Sequence, residues 1–164
     1  PFMFHLTFGM NAAETGLLMT AWPLVIVVAG PLAGTLATKI HPGLLGGVGL
    51  LLMSVGCFLL ADVSPSVGYG GLVARLMLCG FGFGLFQSPN NHLLLSSAPS
   101  YRTGGASGMQ ATARLVGQTT GAALVALLFY LNGDRAPHAA MWLAGGFTLC
   151  GSLVSCSRLR AHRF

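Results

Sequence analysis

Two arginines, Arg75 and Arg114, stand inside long apolar stretches of the 164-residue sequence. A charged side chain at the centre of a membrane helix costs about 2.5 to 3.5 kcal/mol on insertion scales, so it usually faces a cavity or a partner. Helical spacing places Gly117, Gln118 and Gly121 on the same face as Arg114. We therefore predict that Arg75, Arg114 and Gln118 line a polar path for a solute or for protons.

A second interpretation of both arginines stays open. Arg75 and Arg114 are each placed about two turns from one end of a predicted helix. A long side chain can bury its methylenes along apolar surface while its charged head reaches the nearer lipid headgroups. Both the polar path and the headgroup contact fit the sequence.

The helix that carries Arg75 is predicted to end at the run Pro89, Asn90 and Asn91. Proline lacks an amide hydrogen and its ring clashes with the preceding turn, which favours a helix stop. The two asparagine amides would then lie at the mouth of the helix, where they could contact water or substrate. A helix stop without a binding role is the alternative.

The elements that must position these residues are membrane helices. Hydrophobic residues make up 54% of the sequence and charged residues 7%, against about 25% charged in an average soluble domain. The apolar runs approach the length of roughly 18 residues that indicates a membrane span. We predict an all-α integral membrane domain over 1–157 with a basic tail at 158–164. It has a partial helix at 1–10 and five full helices near 14–38, 43–61, 68–90, 106–131 and 137–157.

The positive charges predict the orientation. Basic residues accumulate in cytoplasmic loops, and on one side of the predicted bundle lie Lys39, Arg102, Arg158, Arg160 and Arg163. The C-terminus is therefore expected in the cytoplasm, with the chain crossing the plasma (inner) membrane several times. The net charge of +5 fits contact with anionic headgroups and requires no nucleic acid.

Glycine is abundant, with 24 residues, and many are spaced four apart. Small residues one turn apart let helices approach closely in lipid. Close packing is therefore predicted at glycine pairs. These are Gly30 and Gly34, Gly43 and Gly47, Gly80 and Gly84, Gly104 and Gly108, and Gly117 and Gly121.

The sequence offers no pattern for a metal or cofactor site. Its four cysteines lie in apolar runs without CxxC spacing, so we expect reduced packing residues and no cofactor. The three carboxylates, Glu14, Asp62 and Asp134, all fall at predicted helix ends or in loops. If transport is coupled to protons through a buried acid, that acid is expected outside this chain.

Several stretches resemble the major facilitator superfamily, and in particular its fourteen-helix drug:proton antiporters. RLMLCGFGFG at 75–84 resembles the arginine-glycine signature of a transmembrane helix in that family. GPLAGTLATKIHPG at 30–43 resembles a degenerate cytoplasmic loop motif, in which Thr38 stands where aspartate is usual. YRTGGASG at 101–108 and ARLVGQTTGAAL at 113–124 look like the following loop and helix.

The resemblance implies a C-terminal fragment of a transporter that lacks its N-terminal half. Such a protein exports amphipathic, often cationic, drugs by alternating access as protons enter. It implies loop roles for Gly34, Lys39 and Arg102. A carrier for another solute and an inactive truncation product are the alternatives.

An enzyme is a further alternative, because GASG at 105–108 matches the GxSG pattern of intramembrane serine proteases. Ser107 and His138 are, however, predicted at opposite ends of the bundle, too far apart to form a catalytic pair. GFGFG at 80–84 lies inside a span rather than between a strand and a helix, which argues against a nucleotide loop. We therefore predict a transporter and not an enzyme.

Overall fold

The computed structural model describes residues 4, 8–64 and 67–161, and this part of the chain folds into six α-helices. Most of the predicted partial helix at 1–10 and residues 162–164 of the predicted tail lie outside the described residues. The helices are α1 (Ala12–Met19), α2 (Ala21–Ala37), α3 (Pro42–Ala61), α4 (Tyr69–Ser96), α5 (Thr103–Asn132) and α6 (Ala136–Ala161).

Helices α1 and α2 form one span with an interruption at Thr20. Pro23 explains the interruption, because it has no amide hydrogen for the carbonyl of Met19, four residues earlier. The Thr20 hydroxyl instead donates to the carbonyl of Leu17 at 2.6 Å. At the start of α1, Asn11 and Glu14 form a reciprocal capping box that satisfies two backbone N–H groups.

Helix α4 does not end at Pro89, and that prediction is wrong. The helix continues through Asn90 and Asn91 to Ser96, with Pro89 buried inside it. Within packed membrane helices, proline is tolerated because neighbouring groups can satisfy the freed carbonyl. The asparagine side chains therefore project from a helical surface and do not mark a helix mouth.

Helix α6 extends beyond the predicted end of the last span. It reaches Ala161, so the first residues of the predicted basic tail, including Arg158 and Arg160, belong to its final turns. The predicted boundary between the last helix and the tail, at residue 157, therefore lies inside α6.

Helix α3 is the centre of the bundle, with α4 and α6 packed along it and α2 packed on α4. Eleven of its residues are buried, including Gly49, Ser54 and Cys57. The main apolar cluster joins α1, α3 and α4 through side chains such as Leu18, Leu60 and Leu72. Apolar packing and close backbone contact, rather than ion pairs, account for the cohesion of this core.

Three buried serines connect α6 to α3. The hydroxyl of Ser152 donates to the carbonyl of Gly47 at 2.7 Å, and that of Ser155 to Gly43 at 3.0 Å. Ser54 on α3 makes the reverse contact, donating to the carbonyl of Gly145 at 2.8 Å. These hydrogen bonds follow one antiparallel register and hold the two helices at close range.

Helix α5 stands apart from the core. None of its residues is buried, and its contacts within the described chain are limited to α4, α6 and the adjoining turns. Side chains such as Leu115, Val116 and Leu131 are exposed along it. The gap between α5 and α4 is the place where polar side chains gather.

Within the described residues, five helical spans are long and apolar enough to cross a membrane. They are residues 12–37, counted as one span, together with α3, α4, α5 and most of α6. Two ends of the bundle can be distinguished. The Lys39 end carries the turns at 38–41 and 97–102, and the Asp62 end carries Asp62 and the turn at 133–135.

Candidate functional site

A polar cleft lies between α4 and α5, nearer to the Lys39 end. Its volume is about 400 Å³, within the usual range of roughly 300 to 1,000 Å³ for small-molecule sites. Two aromatic rings, four amide side chains, a hydroxyl and a guanidinium surround it. The lining residues are Phe83, Phe86, Gln87, Asn90, Asn91, Ser107, Gln110, Ala111 and Arg114.

Helical periodicity brings the α4 side of the cleft together. Phe83, Phe86, Gln87 and Asn90 are three or four residues apart, so their side chains share one face of the helix. Because α4 continues past Pro89, Asn90 and Asn91 extend this face by a further turn. The cleft would lose its amide-rich part if the helix stopped at the proline.

The α5 side follows the same rule. Ser107, Gln110 and Arg114 are spaced at three and four residues along one face. The two sides of the cleft are joined by a hydrogen bond in which the Gln110 amide donates to the side-chain oxygen of Asn91. This amide pair links the side chains of α4 and α5 across the cleft.

Arg114 supplies the only formal charge among the residues that line the cleft in the described part of the chain. The sequence contains three carboxylates, and none is placed near it. Glu14 lies in the first turn of α1 and Asp62 caps the end of α3, both toward the Asp62 end. Asp134 follows the far end of α5, roughly 30 Å from Arg114 along the helix axis.

The arrangement can bind a small molecule. Amides offer both donors and acceptors, the guanidinium offers several donors in one plane, and the rings of Phe83 and Phe86 offer apolar surface. The hydroxyl of Ser107 donates to the carbonyl of Gly104 in its own helix at 2.9 Å, and no histidine lines the cleft. The described residues also hold no cluster of three or more His, Cys, Asp or Glu suited to a metal ion.

The serine-histidine pair considered from the sequence does not form. His138 lies at the start of α6, at the Asp62 end, where its Nδ1 is 2.6 Å from the carbonyl oxygen of Ala61. Its Nε2 accepts a hydrogen bond from the indole of Trp142 at 3.2 Å. His138 therefore joins α3 to α6 at the end of the bundle opposite Ser107.

Arg75 is not part of this cleft. It lies about four turns before Asn90 on α4, roughly 22 Å along the helix. Cys79 and Gly82, which lie four and seven residues after Arg75 on α4, are buried against α3, where the backbone oxygen of Arg75 also approaches Gly56. Among the described residues nothing accepts a hydrogen bond from its buried Nη1 atom. The structure thus brings together Arg114, Asn90 and Asn91 and leaves Arg75 apart.

The remaining predicted site residues occupy exposed positions. Gln118 lies on α5 beyond the cleft and does not line it. Lys39 lies in the turn after α2, and Arg102 lies before α5 with its guanidinium 5.6 Å from the Tyr101 ring centre. Gly34 has open space where a side chain would project. Gly34 lies within α2, so its predicted place in a loop is wrong, because α2 continues to Ala37. Lys39 and Arg102 are accessible but make no contact that assigns them a role.

The predicted packing glycines divide into two groups. A Cβ at Gly80 would lie 2.7 Å from the backbone oxygen of Trp22, and one at Gly84 would lie 2.6 Å from the Cβ of Ala29. These two glycines therefore allow α2 and α4 to touch. Gly117 and Gly121 on α5 face open space in this chain.

Sequence reasoning missed Gln87 and Gln110 as members of the cleft. The signal was available, because Gln110 lies four residues before Arg114 and Gln87 lies four before Asn91. Each glutamine therefore shares a face with a residue that was singled out. Ending the helix near Pro89 separated Gln87 from Asn91, whereas Gln110 and Arg114 share one predicted helix.

A bundle of apolar spans with a polar cleft between two of them defines a multi-pass helical membrane protein of the transporter class. The family model of the Major Facilitator Superfamily matches residues 1–163. The chain belongs to this superfamily, which confirms the predicted family and the all-helical fold. Membership points to a transporter rather than an enzyme.

Curated relatives are longer than this chain. It is 46% identical to the uncharacterized transporter YebQ of Escherichia coli, over 99% of this chain and 36% of the relative. It is 31% identical to the riboflavin transporter RibZ of Clostridioides difficile, over 79% of this chain and 28% of that relative. It is 27% identical to the multidrug resistance protein Stp of Mycobacterium tuberculosis, over 79% of this chain and 24% of that relative. The chain thus spans about a quarter to a third of these relatives. No solved structure gives a significant match.

Proposed function

We propose that this chain is the C-terminal part of a secondary active transporter that exports amphipathic small molecules in exchange for protons. The observation that carries the proposal is the cleft, in which amides and a guanidinium lie beside two phenylalanine rings between two spans. Such a mixture suits a solute with a polar group and an apolar body. The multidrug resistance protein among the relatives supports the same class of solute.

The transport mechanism proposed is alternating access. Two halves of the protein rock about a site near the bilayer midplane, so that the site opens to one side at a time. Helix α5 would complete its packing against the rest of the parent protein, because none of its residues is buried in this chain. Gly117 and Gly121 would then give that contact its close approach.

The proposed roles of the other residues follow from their places. Asn90, Asn91 and Arg114 contact the solute, and Gln118 extends the same helix face toward the path. Arg75 takes part in coupling between helices through its Nη1 atom, which has no hydrogen-bond partner among the described residues. Lys39 and Arg102 belong to the turns that open and close one end of the path, and Gly34 lies in the last turns of α2 beside them. The protein lies in the plasma membrane with the Lys39 end and the C-terminus in the cytoplasm.

The proposal is tested with the full-length parent in proteoliposomes that have an acidic lumen. A panel of fluorescent amphipathic dyes is added outside, and uptake is followed with and without a protonophore. We expect uptake that depends on the proton gradient and falls in Asn91→Leu. Asn132→Leu, the same change at the far end of α5, is the control and should leave uptake intact. Uptake independent of the gradient would contradict proton coupling.

A second candidate is a carrier for a non-drug solute. The relative named a riboflavin transporter matches this chain at 31% identity, and riboflavin also combines an aromatic body with polar groups. Radiolabelled riboflavin in the same proteoliposomes separates the two. Saturable riboflavin transport without transport of the dyes would favour this candidate.

A further inference from the structure

We propose that the cleft between α4 and α5 selects solutes that carry an acidic group, such as a carboxylate, a sulfonate or a phosphate. This inference rests on the proposed function, since it names the solute class of the same site. Its basis is the charge of the cleft and the placement of donors around it. It departs from the cationic drugs that the family resemblance implies.

The charge that lines the cleft in the described chain is positive. Arg114 lines it, and none of the lining residues in the described chain is acidic. The three carboxylates of the sequence all lie at helix ends or turns toward the Asp62 end. A cationic group in this cleft would therefore meet the guanidinium without a compensating carboxylate from this chain. An anionic group would meet its complement.

The donors around Arg114 suit an oxyanion. Guanidinium groups bind carboxylate and phosphate oxygens through two parallel N–H bonds, in a geometry that a lysine does not reproduce. Gln110 lies one turn away on the same face of α5, and Asn91 lies across the cleft on α4. Since the Gln110 amide already donates to Asn91, the pair holds the two walls of the cleft and leaves Arg114 as the anchor for the solute.

The two aromatic rings of the cleft favour an apolar body on the rest of the solute. Phe83 and Phe86 line the α4 wall within a turn of Gln87 and Asn90. A solute whose acid binds Arg114 would place its adjoining body on these rings. An aromatic or apolar body of moderate size is the match for a cleft of about 400 Å³.

Membrane surroundings strengthen the selection. A guanidinium and an acid attract each other more strongly in a medium of low dielectric constant than in water. An arginine placed within a span is also costly unless water or a partner satisfies it. An acidic solute would satisfy Arg114 during binding, and water would do so between transport events.

The test uses the purified full-length parent in phosphatidylcholine nanodiscs and two matched probes. One is naphthalene-2-sulfonate, and the other is (2-naphthylmethyl)trimethylammonium, which has the same ring system and the opposite charge. Binding of each is measured by titration calorimetry. We expect the sulfonate to bind at least about tenfold more tightly, as one charge-assisted contact supplies.

Three variants test whether Arg114 is responsible for the difference in affinity between the two probes. Arg114→Gln should weaken sulfonate binding at least about tenfold while leaving binding of the ammonium probe unchanged or tighter. Arg114→Lys should retain part of the affinity, because it keeps the charge but loses the planar N–H donors that bind two oxygens at once. Arg135→Gln removes the same charge at the other end of α5 and should behave like the parent. Equal affinities for the two probes, no sulfonate binding, or no effect of Arg114→Gln would overturn the proposal.

A lipid phosphate has the same chemistry as the acidic group of a solute, so the titration is repeated in nanodiscs containing phosphatidylglycerol. Retained sulfonate binding supports a solute site, and its loss assigns Arg114 to lipid headgroups instead. The dye transport experiment stands separately. Proton-driven transport without sulfonate selectivity would overturn the charge assignment alone, whereas Arg114-dependent sulfonate binding without transport would overturn the proposed function alone.

Discussion

The hydroxyl of Ser152 on α6 donates to the carbonyl of Gly47 on α3 at 2.7 Å, and both residues are buried. The contact needs both residue types. Glycine permits the backbones of α3 and α6 to approach closely. The serine hydroxyl can then donate to the glycine carbonyl, which satisfies it in apolar surroundings. Ser54 and Ser155 repeat the arrangement with Gly145 and Gly43.

Removing these hydroxyls should destabilise the protein by modest and similar amounts. We expect Ser54→Ala, Ser152→Ala and Ser155→Ala each to lower the free energy of unfolding by about 0.6 kcal/mol, the average for such bonds between membrane helices. Unfolding of the full-length parent in mixed micelles measures the effect. Ser157→Ala is the matched control, because the Ser157 hydroxyl bonds only within α6 and is exposed. A control variant as damaging as the three others would show that the interhelical bonds are not responsible.

The closest approach of α3 and α4 should tolerate no added methyl group. A Cβ at Gly82 would lie 2.5 Å from the backbone oxygen of Gly49. Gly82→Ala should therefore lower stability by about 1 to 3 kcal/mol, the usual range for overpacking. Gly146→Ala on α6, where nothing lies within 4 Å of the added atom, should cost nothing comparable. Thermal unfolding of the two variants in detergent compares them, and equal melting temperatures would contradict the packing argument.

Arg75 should depend on a hydrogen-bond acceptor outside the described residues. Its buried Nη1 atom has none among them, and an unsatisfied buried donor costs about 1 to 3 kcal/mol. If the rest of the parent supplies the acceptor, Arg75→Met should lower the stability of the full-length protein and reduce transport. Arg75→Lys should recover part of both. A fully stable and active Arg75→Met variant would favour the headgroup interpretation.

We expect the two hydrogen bonds of His138, one with the carbonyl of Ala61 and one with the indole of Trp142, to be energetically coupled. The indole N–H of Trp142 donates to Nε2, so the Nδ1–H tautomer is the neutral form that also donates to the carbonyl of Ala61. His138→Leu should lower stability by about 1 kcal/mol.

A double-mutant cycle checks whether the two side chains are coupled. Residues in one hydrogen-bond network show coupling energies of about 0.5 kcal/mol or more. His138→Leu, Trp142→Phe and the double variant are compared by unfolding in detergent. We expect the double variant to lose less stability than the sum of the two single losses. Strict additivity would show that the histidine and the indole act separately.

Residue type and spacing predicted some of the residues that line the cleft. Arg114, Asn90 and Asn91 were singled out as polar residues in apolar stretches, and the structure places all three in one cleft. Gln118 was selected by the same spacing but lies beyond the cleft.

The sequence by itself determined the class of protein. So few charges among long apolar runs cannot cover a water-soluble surface, and the runs are long enough to span a bilayer as helices, in which the backbone satisfies its own hydrogen bonds. Helix number and family followed from this local information. Neither required knowledge of which helices touch.

The tertiary structure decided which residues meet. Glycine pairs at identical spacing have different surroundings: Gly80 and Gly84 contact α2, whereas no atom of the described residues lies within 4 Å of a Cβ added at Gly117 or Gly121. The continuation of α4 past Pro89 brought Asn91 to Gln110. Spacing fixes the face of a helix on which a residue lies, but the partner of that face depends on helix packing between segments distant in sequence.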